Sequence, residues 1–286
     1  MVNGLFNLVI TGDPPSSSPG SCPAKGPSTS DLTSTIARKP PPFTIPSGSN
    51  GEVLKIRSSS RVTVKYLNIR DGHHPQHSDD GVDLKNSTAG RLFCNCITNN
   101  EDALDNDAGS CNQIVQNLVI ANENGIRASS GTKSDLIQDN TVKDNNLPII
   151  DSPSDPAGRH NGLIISQSST LNNFIGNVVT GSPDDGFKIN GGSNNCVVNN
   201  VIMNNGGDPN ASVPPDTGGC ELVSASNNRI DCNPITMNIT KTGQPSDVCR
   251  LISGSGNTGC NVPPPTPCPP PTCTCPALQC STQTIP

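Results

Sequence analysis

The sequence has few aromatic and apolar residues. Of 286 residues, none is Trp, one is Tyr and 31% are apolar, whereas a globular domain usually has about 45–50%, a count that includes Gly. A broad, thick core cannot form from this composition, so we expect a narrow core that is repeated along the chain. The chain also lacks the roughly 20 apolar residues in a row that a membrane-spanning helix needs, and we expect no membrane span.

Blocks of positive charge are missing as well. The chain has 18 Lys and Arg residues against 24 Asp and Glu residues, a net charge of −6. Nucleic acids and anionic membranes attract basic patches, so the sequence argues against both as partners. A cationic or metal-bridged partner fits the charge better.

Cysteine is abundant instead. Thirteen cysteines exceed ordinary cytosolic use, and disulfides in an oxidising compartment are the expected state. Acceptor triplets for N-glycosylation begin at Asn86, Asn210 and Asn238 and indicate the same compartment. We therefore expect a secreted glycoprotein, extracellular or in a cell wall. Met1-Val-Asn-Gly-Leu-Phe6 does not resemble a signal peptide, so we expect an incomplete or processed N-terminus.

A repeat of about 22 residues runs through the middle of the chain. Five hexapeptides, from Leu92–Ile97 to Val197–Ile202, share an apolar start, an Asn and an apolar end. Their asparagines are 22, 23, 37 and 23 residues apart and are Asn95, Asn117, Asn140, Asn177 and Asn200. The long interval contains an insertion around residues 151–161, and Asn228 is expected to continue the series.

The repeated segments predict strands, because they alternate over four to six residues and then break at Gly, Asn or Ser. Coils stacked about 4.8 Å apart would place equivalent positions over one another, and inward Asn amides would then hydrogen-bond as a ladder. A second strand per coil begins near Asp80, Asp102, Asn124, Asn161 and Asp185. The predicted fold is therefore all-β, a right-handed parallel β-helix with an Asn ladder.

Composition divides the chain into three parts. Residues 1–50 are expected to form a partial first strand followed by a Pro/Ser-rich loop, and residues 51–259 the parallel β-helix. Residues 260–286 form a Pro/Cys-rich tail of polyproline II type. The tail is a spacer or a segment that cross-links the protein to a cell wall.

Aligning the second strands gives three columns of side chains. They are Asp79, Glu101, Glu123, His160 and Asp184; Asp80, Asp102, Asn124, Asn161 and Asp185; and Asp83, Asp105, Arg127, Ile164 and Lys188. Carboxylates a few ångströms apart repel unless they share protons, a cation or a charged ligand. Asp and Asn also favour turns before strands, where they cap the backbone, and this explains the second column well without any site.

Two motifs resemble those of polygalacturonases, pectin-degrading glycoside hydrolases among the pectin-lyase-like right-handed parallel β-helix proteins. His77-Ser-Asp-Asp80-Gly-Val-Asp83 resembles the family's Asn-Thr-Asp-Gly-Ile-Asp motif. Glu101-Asp102-Ala-Leu104 resembles its Asp-Asp-Cys-Ile motif, one coil later. The resemblance implies an inverting hydrolase of an acidic polysaccharide such as polygalacturonate, with Asp102 as general acid and with Asp80 and Glu101 activating water. It implies no cofactor and no metal.

The remaining outward side chains are candidates for binding substrate, namely Asp83, Asp105, Asn124, Arg127, His160 and Lys188. The family's Gly-His-Gly-Ile is replaced by Glu123-Asn-Gly-Ile126, and its Arg-x-Lys clamp would fall at Ile164-Ile-Ser166, one coil before Lys188. Two alternatives therefore stay open. One is a calcium-dependent polysaccharide lyase in which Asp79, Asp80, Asp83 and Glu101 hold the metal. The other is a non-catalytic cell-wall or surface protein.

Overall fold

The computed structural model describes residues 2–3, 8–11, 35–37, 52–74, 77–147, 160–207, 218–240, 243–245 and 249–259. These residues form strands and turns and contain no helix. Accordingly, no helix within the described ranges is long and apolar enough to cross a membrane. The Pro/Cys-rich tail and most of the Pro/Ser-rich loop lie outside the described residues, so the predictions for them stay predictions.

Three parallel sheets run along the molecule, and each coil contributes one short strand to each sheet. Sheet A contains β1 (Val2–Asn3), β4 (Leu54–Arg57), β9 (Val82–Lys85), β12 (Asp102–Asp107), β15 (Asn124–Ser129), β18 (Leu163–Ser166), β21 (Phe187–Asn190), β24 (Cys220–Val223) and β28 (Cys249–Leu251). Sheet C contains β2 (Val9–Thr11), β5 (Thr63–Lys65), β10 (Arg91–Phe93), β13 (Gln113–Val115), β16 (Leu136–Gln138), β19 (Asn173–Ile175), β22 (Cys196–Val198) and β26 (Arg229–Asp231).

Sheet D closes each coil. It contains β3 (Thr35–Ala37), β6 (Asn68–Arg70), β11 (Cys96–Thr98), β14 (Leu118–Ile120), β17 (Thr141–Lys143), β20 (Val178–Thr180), β23 (Val201–Met203) and β27 (Ile235–Thr236). Two small pairs complete the strands: antiparallel β7 (His73–His74) with β8 (His77–Ser78), and parallel β25 (Ala225–Ser226) with β29 (Gly254–Ser255). The predicted right-handed parallel β-helix is thus confirmed, with the handedness that parallel crossovers take.

The predicted Asn ladder is present. Each side-chain amide donates to the side-chain oxygen of the Asn one coil later, at 3.0 Å from Asn95 to Asn117, 3.0 Å to Asn140, 2.9 Å to Asn177 and 2.8 Å to Asn200. The next rung is Asn233, at 2.9 Å from Asn200. The expectation for Asn228 is therefore wrong, because Asn228 accepts instead from Asn195 in a different ladder.

The repeated hexapeptides are two strands rather than one. The segment from Leu92 to Ile97 leaves sheet C after Phe93, turns at Cys94 and enters sheet D at Cys96. Cys94 has φ 54°, in the left-handed region, and Gln116 and Asp139 repeat this one and two coils later. The ladder Asn follows this residue, and in the next coil the Asn117 amide donates to the carbonyls of Val115 and Leu92. Side-chain amides thus replace the strand hydrogen bonds that are lost at the corner.

Each of the other two corners carries its own ladder. Between sheets D and A it runs through Asn100, Asn122 and Asn145, and it resumes at Asn205 and Asn238. Between sheets A and C it contains Asn112, Asp135, Asn172, Asn195, Asn228 and Asn257. Asn238 is 1% exposed, so this predicted glycosylation site is a structural rung, whereas Asn86 is exposed.

The core is the narrow space that the three sheets enclose. Inward side chains of successive coils, Leu84 among them, stack in columns. The rings of Phe174 and Phe187 meet edge to face, with their centroids 5.4 Å apart. A disulfide joins Cys220 to Cys249, which are paired neighbours in sheet A. The composition therefore yields a thin repeated core, as expected.

Candidate active site

The acidic residues lie where sheet A begins, at the tight corner with sheet D. Glycine follows the Asp or Asn at this corner in four of the five coils, and Ala103 takes its place after Asp102, because little space is left there for a side chain. A Cβ at Gly125 would be 2.0 Å from the carbonyl oxygen of Gly162, and a Cβ at Gly162 would be 2.2 Å from Val179 Cγ1. The recurring Asp-Gly and Asn-Gly pairs are thus explained by the corner itself, and the preceding Asp or Asn lies on the outer face.

The register of sheet A confirms the predicted columns. Asp83 pairs with Asp105, Asp105 with Arg127, Arg127 with Ile164 and Ile164 with Lys188. The column also extends at both ends, through Lys55 before Asp83 and through Glu221 and Arg250 after Lys188. Since these residues are outward and adjacent coils are about 4.8 Å apart, the outer face of sheet A carries a row of ionisable side chains that is interrupted at Ile164.

One end of this row forms the Arg127 cluster, which we define as Asp80, Asp83, Glu101, Asp102, Asp105 and Arg127. Arg127 NH1 lies 3.1 Å from Asp102 Oδ2, and its Nε lies 4.0 Å from Asp105 Oδ1. Ser129 Oγ donates to Asp105 Oδ1 at 3.1 Å. The predicted catalytic residues are therefore gathered together, and Arg127 lies among them.

Asp102 is the most buried carboxylate of this cluster, with 4% of its side chain exposed. Arg127 binds one carboxylate oxygen, and no donor among the described residues reaches the other, Oδ1, which is buried. A buried acceptor without a donor costs about 1–3 kcal/mol. Such a group calls for a functional explanation or an ordered water.

The carboxylates repel one another strongly enough to hold protons. Burial raises the pKa of Asp80 well above 3.8, and the negative charges of four neighbours raise it further: Asp102, Asp105, Glu101 and Asp83. Burial and the charge of Asp102 raise the pKa of Asp105 to about 7, although Arg127 and the Ser129 hydroxyl oppose the rise. At neutral pH the cluster therefore contains both protonated and charged carboxyl groups.

Ion pairs that the sequence did not reveal border the cluster. Arg57 binds Asp83 at 2.9 Å through NH2 and lies 3.5 Å from Glu52 Oε1. Burial raises the pKa of Asp83, and Arg57 partly reverses the rise. Lys85 forms an ion pair with Asp107 in the same way, across one coil step. Since Arg57 and Asp83 are 26 residues apart, only a correct register could have identified them as partners.

Lys188 lies apart from the Arg127 cluster, two coils further along. Its Nζ is 2.7 Å from Glu221 Oε2, 3.1 Å from Asp185 Oδ2 and 4.0 Å from Asp184 Oδ2. Burial lowers the pKa of Lys188, but the three carboxylates more than offset this and raise it overall. Burial, the charge of Asp185 and a hydrogen bond that the protonated Glu221 side chain donates to Asp185 raise the pKa of Glu221, and Lys188 partly opposes the rise. We call these four residues the Lys188 cluster.

The two remaining predicted residues serve the backbone. The His160 ring hydrogen-bonds through Nε2 to the carbonyl of Leu147 at 2.9 Å. Asn124 Oδ1 accepts the backbone N–H of Asn161 at 3.2 Å. Both therefore help to hold the coil boundary, in accord with the capping explanation of the second column.

A metal site is not evident in this region. Among the residues that the structure describes, no group of three or more His, Cys, Asp or Glu residues could hold a metal ion. The carboxylates of the Arg127 cluster have Arg127 and Arg57 as cationic partners.

Comparisons with known proteins give distant similarities. No family model matches the chain, and no curated protein matches it. Among solved structures it is similar to the Dettilon tailspike protein, with 16% identity, a TM-score of 0.47 and coverage of 71% of this chain and 39% of that one. It is also similar to a double mutant of the periplasmic alginate epimerase AlgG, with 15% identity, a TM-score of 0.46 and coverage of 71% and 45%.

A third similar structure is an alginate lyase from Paenibacillus sp., with 11% identity, a TM-score of 0.45 and coverage of 71% of this chain and 76% of that one. The chain spans less than half the length of the tailspike protein and of the epimerase. These similarities are too distant to carry an argument about function, which rests on the chain's own residues.

Proposed function

We propose that the protein is a carbohydrate-active enzyme that hydrolyses glycosidic bonds at the Arg127 cluster. The observation that carries this proposal is the different surroundings of two carboxyl groups on adjacent coils. The pKa of Asp80 is raised well above 3.8, whereas Asp102 is held by Arg127 and keeps one buried oxygen without a donor among the described residues. Glycoside hydrolysis needs one protonated and one charged carboxyl group at the scissile bond.

These environments favour a division of roles that reverses the one implied by the resemblance. Asp80 is the proposed general acid, because burial and like charges raise its pKa. Asp102 is the proposed base, because Arg127 compensates its negative charge. Glu101 and Asp105 contribute negative charge that keeps Asp80 protonated.

The proposed reaction follows from these roles. Asp80 donates a proton to the glycosidic oxygen as the bond from that oxygen to the anomeric carbon breaks. Asp102 takes a proton from a water molecule, whose oxygen forms the new bond to the anomeric carbon. Attack by water from the opposite face inverts the configuration, so NMR of the first product should show the inverted anomer, and a retained anomer would refute this step.

Replacement of either carboxylate tests the proposal. Asp80→Asn and Asp102→Asn should each lower the release of reducing ends by about 10²–10⁴-fold, the usual contribution of a general acid or base. Asp231→Asn is the matched control, because Asp231 pairs with Arg229 on sheet C. Circular dichroism should show all three variants folded. Equal activity in the two site variants and the control would exclude the assignment.

The pH dependence provides a second test. Activity should decline as the pH rises through the raised pKa of Asp80, because the acid then loses its proton. Asp105→Asn removes one of the charges that raise this pKa, so the alkaline limb of the pH profile should move to lower pH. An unmoved limb would show that another group is the acid.

The two other candidate functions have less support. A calcium-dependent lyase would release unsaturated products that absorb in the ultraviolet, but the described residues do not provide its metal site. A non-catalytic wall protein would depend on the Pro/Cys-rich tail, which lies outside the described residues. If no polysaccharide is cleaved and neither carboxylate variant differs from the control, the scaffold role is the one that remains.

We also propose that the protein acts outside the cell. The disulfide between Cys220 and Cys249 and the exposed acceptor Asn86 support this location, since disulfides persist in oxidising compartments. Expression through a secretory pathway should therefore give more folded protein than expression in a reducing cytosol. Equal yields from both routes would count against secretion.

A further inference from the structure

We infer that the glycan bound on the outer face of sheet A is uncharged, an inference that rests on the proposed glycoside hydrolysis. The sequence suggested an acidic polysaccharide, because Arg127, His160 and Lys188 could bind sugar carboxylates. The contacts of these three side chains favour an uncharged glycan instead. Each of these side chains is already engaged by an acceptor of the protein itself.

Arg127 and Lys188 are the two cations of this column that were expected to bind substrate, and protein carboxylates bind both. Arg127 contacts Asp102 at 3.1 Å and Asp105 at 4.0 Å. Lys188 contacts three carboxylates within 4.0 Å, two of them at hydrogen-bonding distance. Arg127 is 33% exposed and Lys188 is 23% exposed, so a sugar carboxylate would compete with these acceptors for each cation.

The surroundings of Arg127 are negative overall. Five carboxyl groups belong to its cluster, against Arg127 itself and the neighbouring Arg57. If Asp80 and Asp105 each hold a proton, three carboxylates still face two guanidinium groups. Burial is the largest cause of the raised pKa of Asp80, and this negative field raises it further. A polyanion would meet repulsion where catalysis takes place, whereas hydroxyl groups would meet hydrogen-bond acceptors.

The surface between the two clusters is neutral. Ile164 stands in the column between Arg127 and Lys188 and is partly exposed. Ser166 follows on the same outer face and pairs in register with Asn190. Ser166 is 8% exposed, and its hydroxyl oxygen is buried and has no hydrogen-bond partner among the described residues. An apolar side chain beside neutral polar groups suits the carbon face and the hydroxyls of an uncharged sugar.

One polymer backbone in two charge states tests the inference. Polygalacturonate and its fully methyl-esterified form differ in charge but share a backbone. Alginate is a second acidic polymer, and xylan and galactan are further neutral ones. Reducing-end release and retardation in affinity electrophoresis are measured for each polymer. We expect cleavage and binding in the neutral arm to exceed those in the acidic arm at least tenfold.

The outcomes separate the two proposals. Cleavage of an acidic polymer as fast as any neutral one would overturn the uncharged glycan and leave the hydrolase standing. Binding of a neutral polymer without cleavage would overturn the hydrolase and leave the uncharged glycan standing. If no polymer is bound or cleaved, both proposals fail.

A gain-of-function variant tests the position of the glycan. Ile164→Arg adds a cation where no protein carboxylate partner is built in, so it should increase retardation by polygalacturonate at least tenfold. Ile252→Arg, at an exposed Ile outside this column, is the matched control and should change retardation little. An equal response of the two variants would show that the glycan does not pass over Ile164.

Discussion

Asp135 should make the β-helix less stable as the pH rises, and the substitution Asp135→Asn should remove this contribution to the pH dependence. It is the carboxylate rung of the ladder between sheets A and C and is fully buried. Its Oδ1 accepts the backbone N–H of Asn112 at 2.7 Å, and its Oδ2 accepts the side-chain amide of Asn106 at 2.8 Å. Burial raises the pKa of Asp135 to about 7, and these two neutral donors only partly oppose the rise.

The sign and size follow from this pKa. The folded state binds the proton more tightly than the unfolded chain, whose Asp pKa is near 3.8, so the contribution is fully present below pH 4 and is lost as the pH rises through about 7. The loss is at most about 4 kcal/mol, since each pKa unit corresponds to about 1.4 kcal/mol. At higher pH the loss of stability no longer changes with pH.

Asp135→Asn removes the charge but turns one acceptor into a donor that faces the Asn106 amide. We expect this mismatch to cost about 1–3 kcal/mol at every pH. The variant should therefore be less stable than wild type at pH 4 and more stable at pH 8.

Urea denaturation followed by far-ultraviolet circular dichroism, from pH 4 to pH 8, measures these differences. Only the difference between variant and wild type is informative, because the raised pKa values of Asp80 and Asp105 make wild-type stability fall with pH in the same direction. A difference that stays constant over the whole range would show that Asp135 does not titrate between pH 4 and pH 8, and the reasoning would be refuted.

Two further predictions concern the corners and the surface. Gly125→Ala should destabilise the fold by several kcal/mol, because its Cβ would be 2.0 Å from a backbone oxygen, whereas Gly90→Ala, with a side-chain atom at 3.0 Å, should cost much less in the same urea assay. Secretion from a glycosylating host should attach a glycan to exposed Asn86 and none to buried Asn238; mass spectrometry of Asn86→Gln should then show the loss of one glycan, and a glycan on Asn238 would contradict the ladder.

The fold could be predicted because stacking imposes a strict period. Asn95 and Asn117 recur at one coil length, and this interval fixes every other column, including the one from Asp83 to Lys188. The turn inside each hexapeptide was not visible, because Cys94 and Gln116 occupy a left-handed conformation that usually goes to Gly or Asn. The assignment of Asn228 failed for a related reason, since all three corners use Asn.

The site could be predicted less completely than the fold. The columns identified Asp80, Asp102 and Arg127 as neighbours, but not which groups they bind. Glu221 was not predicted as a site residue. Its strand follows an insertion of unknown length, so the sequence did not show that Glu221 pairs in register with Lys188. Long side chains such as Arg57 reach across coils, and their partners depend on rotamers that a sequence does not specify.

Arg127 illustrates the difference between a cation that binds substrate and a cation that compensates the charge of protein carboxylates. The sequence makes it a candidate for binding substrate, because it lies in the outward column beside the predicted catalytic carboxylates. In the structure it binds Asp102 and approaches Asp105, so its removal would leave buried carboxylates uncompensated. In the proposed mechanism Arg127 is therefore a positioning residue, whose guanidinium compensates the negative charge of Asp102, and this role requires that it stay bound to the protein.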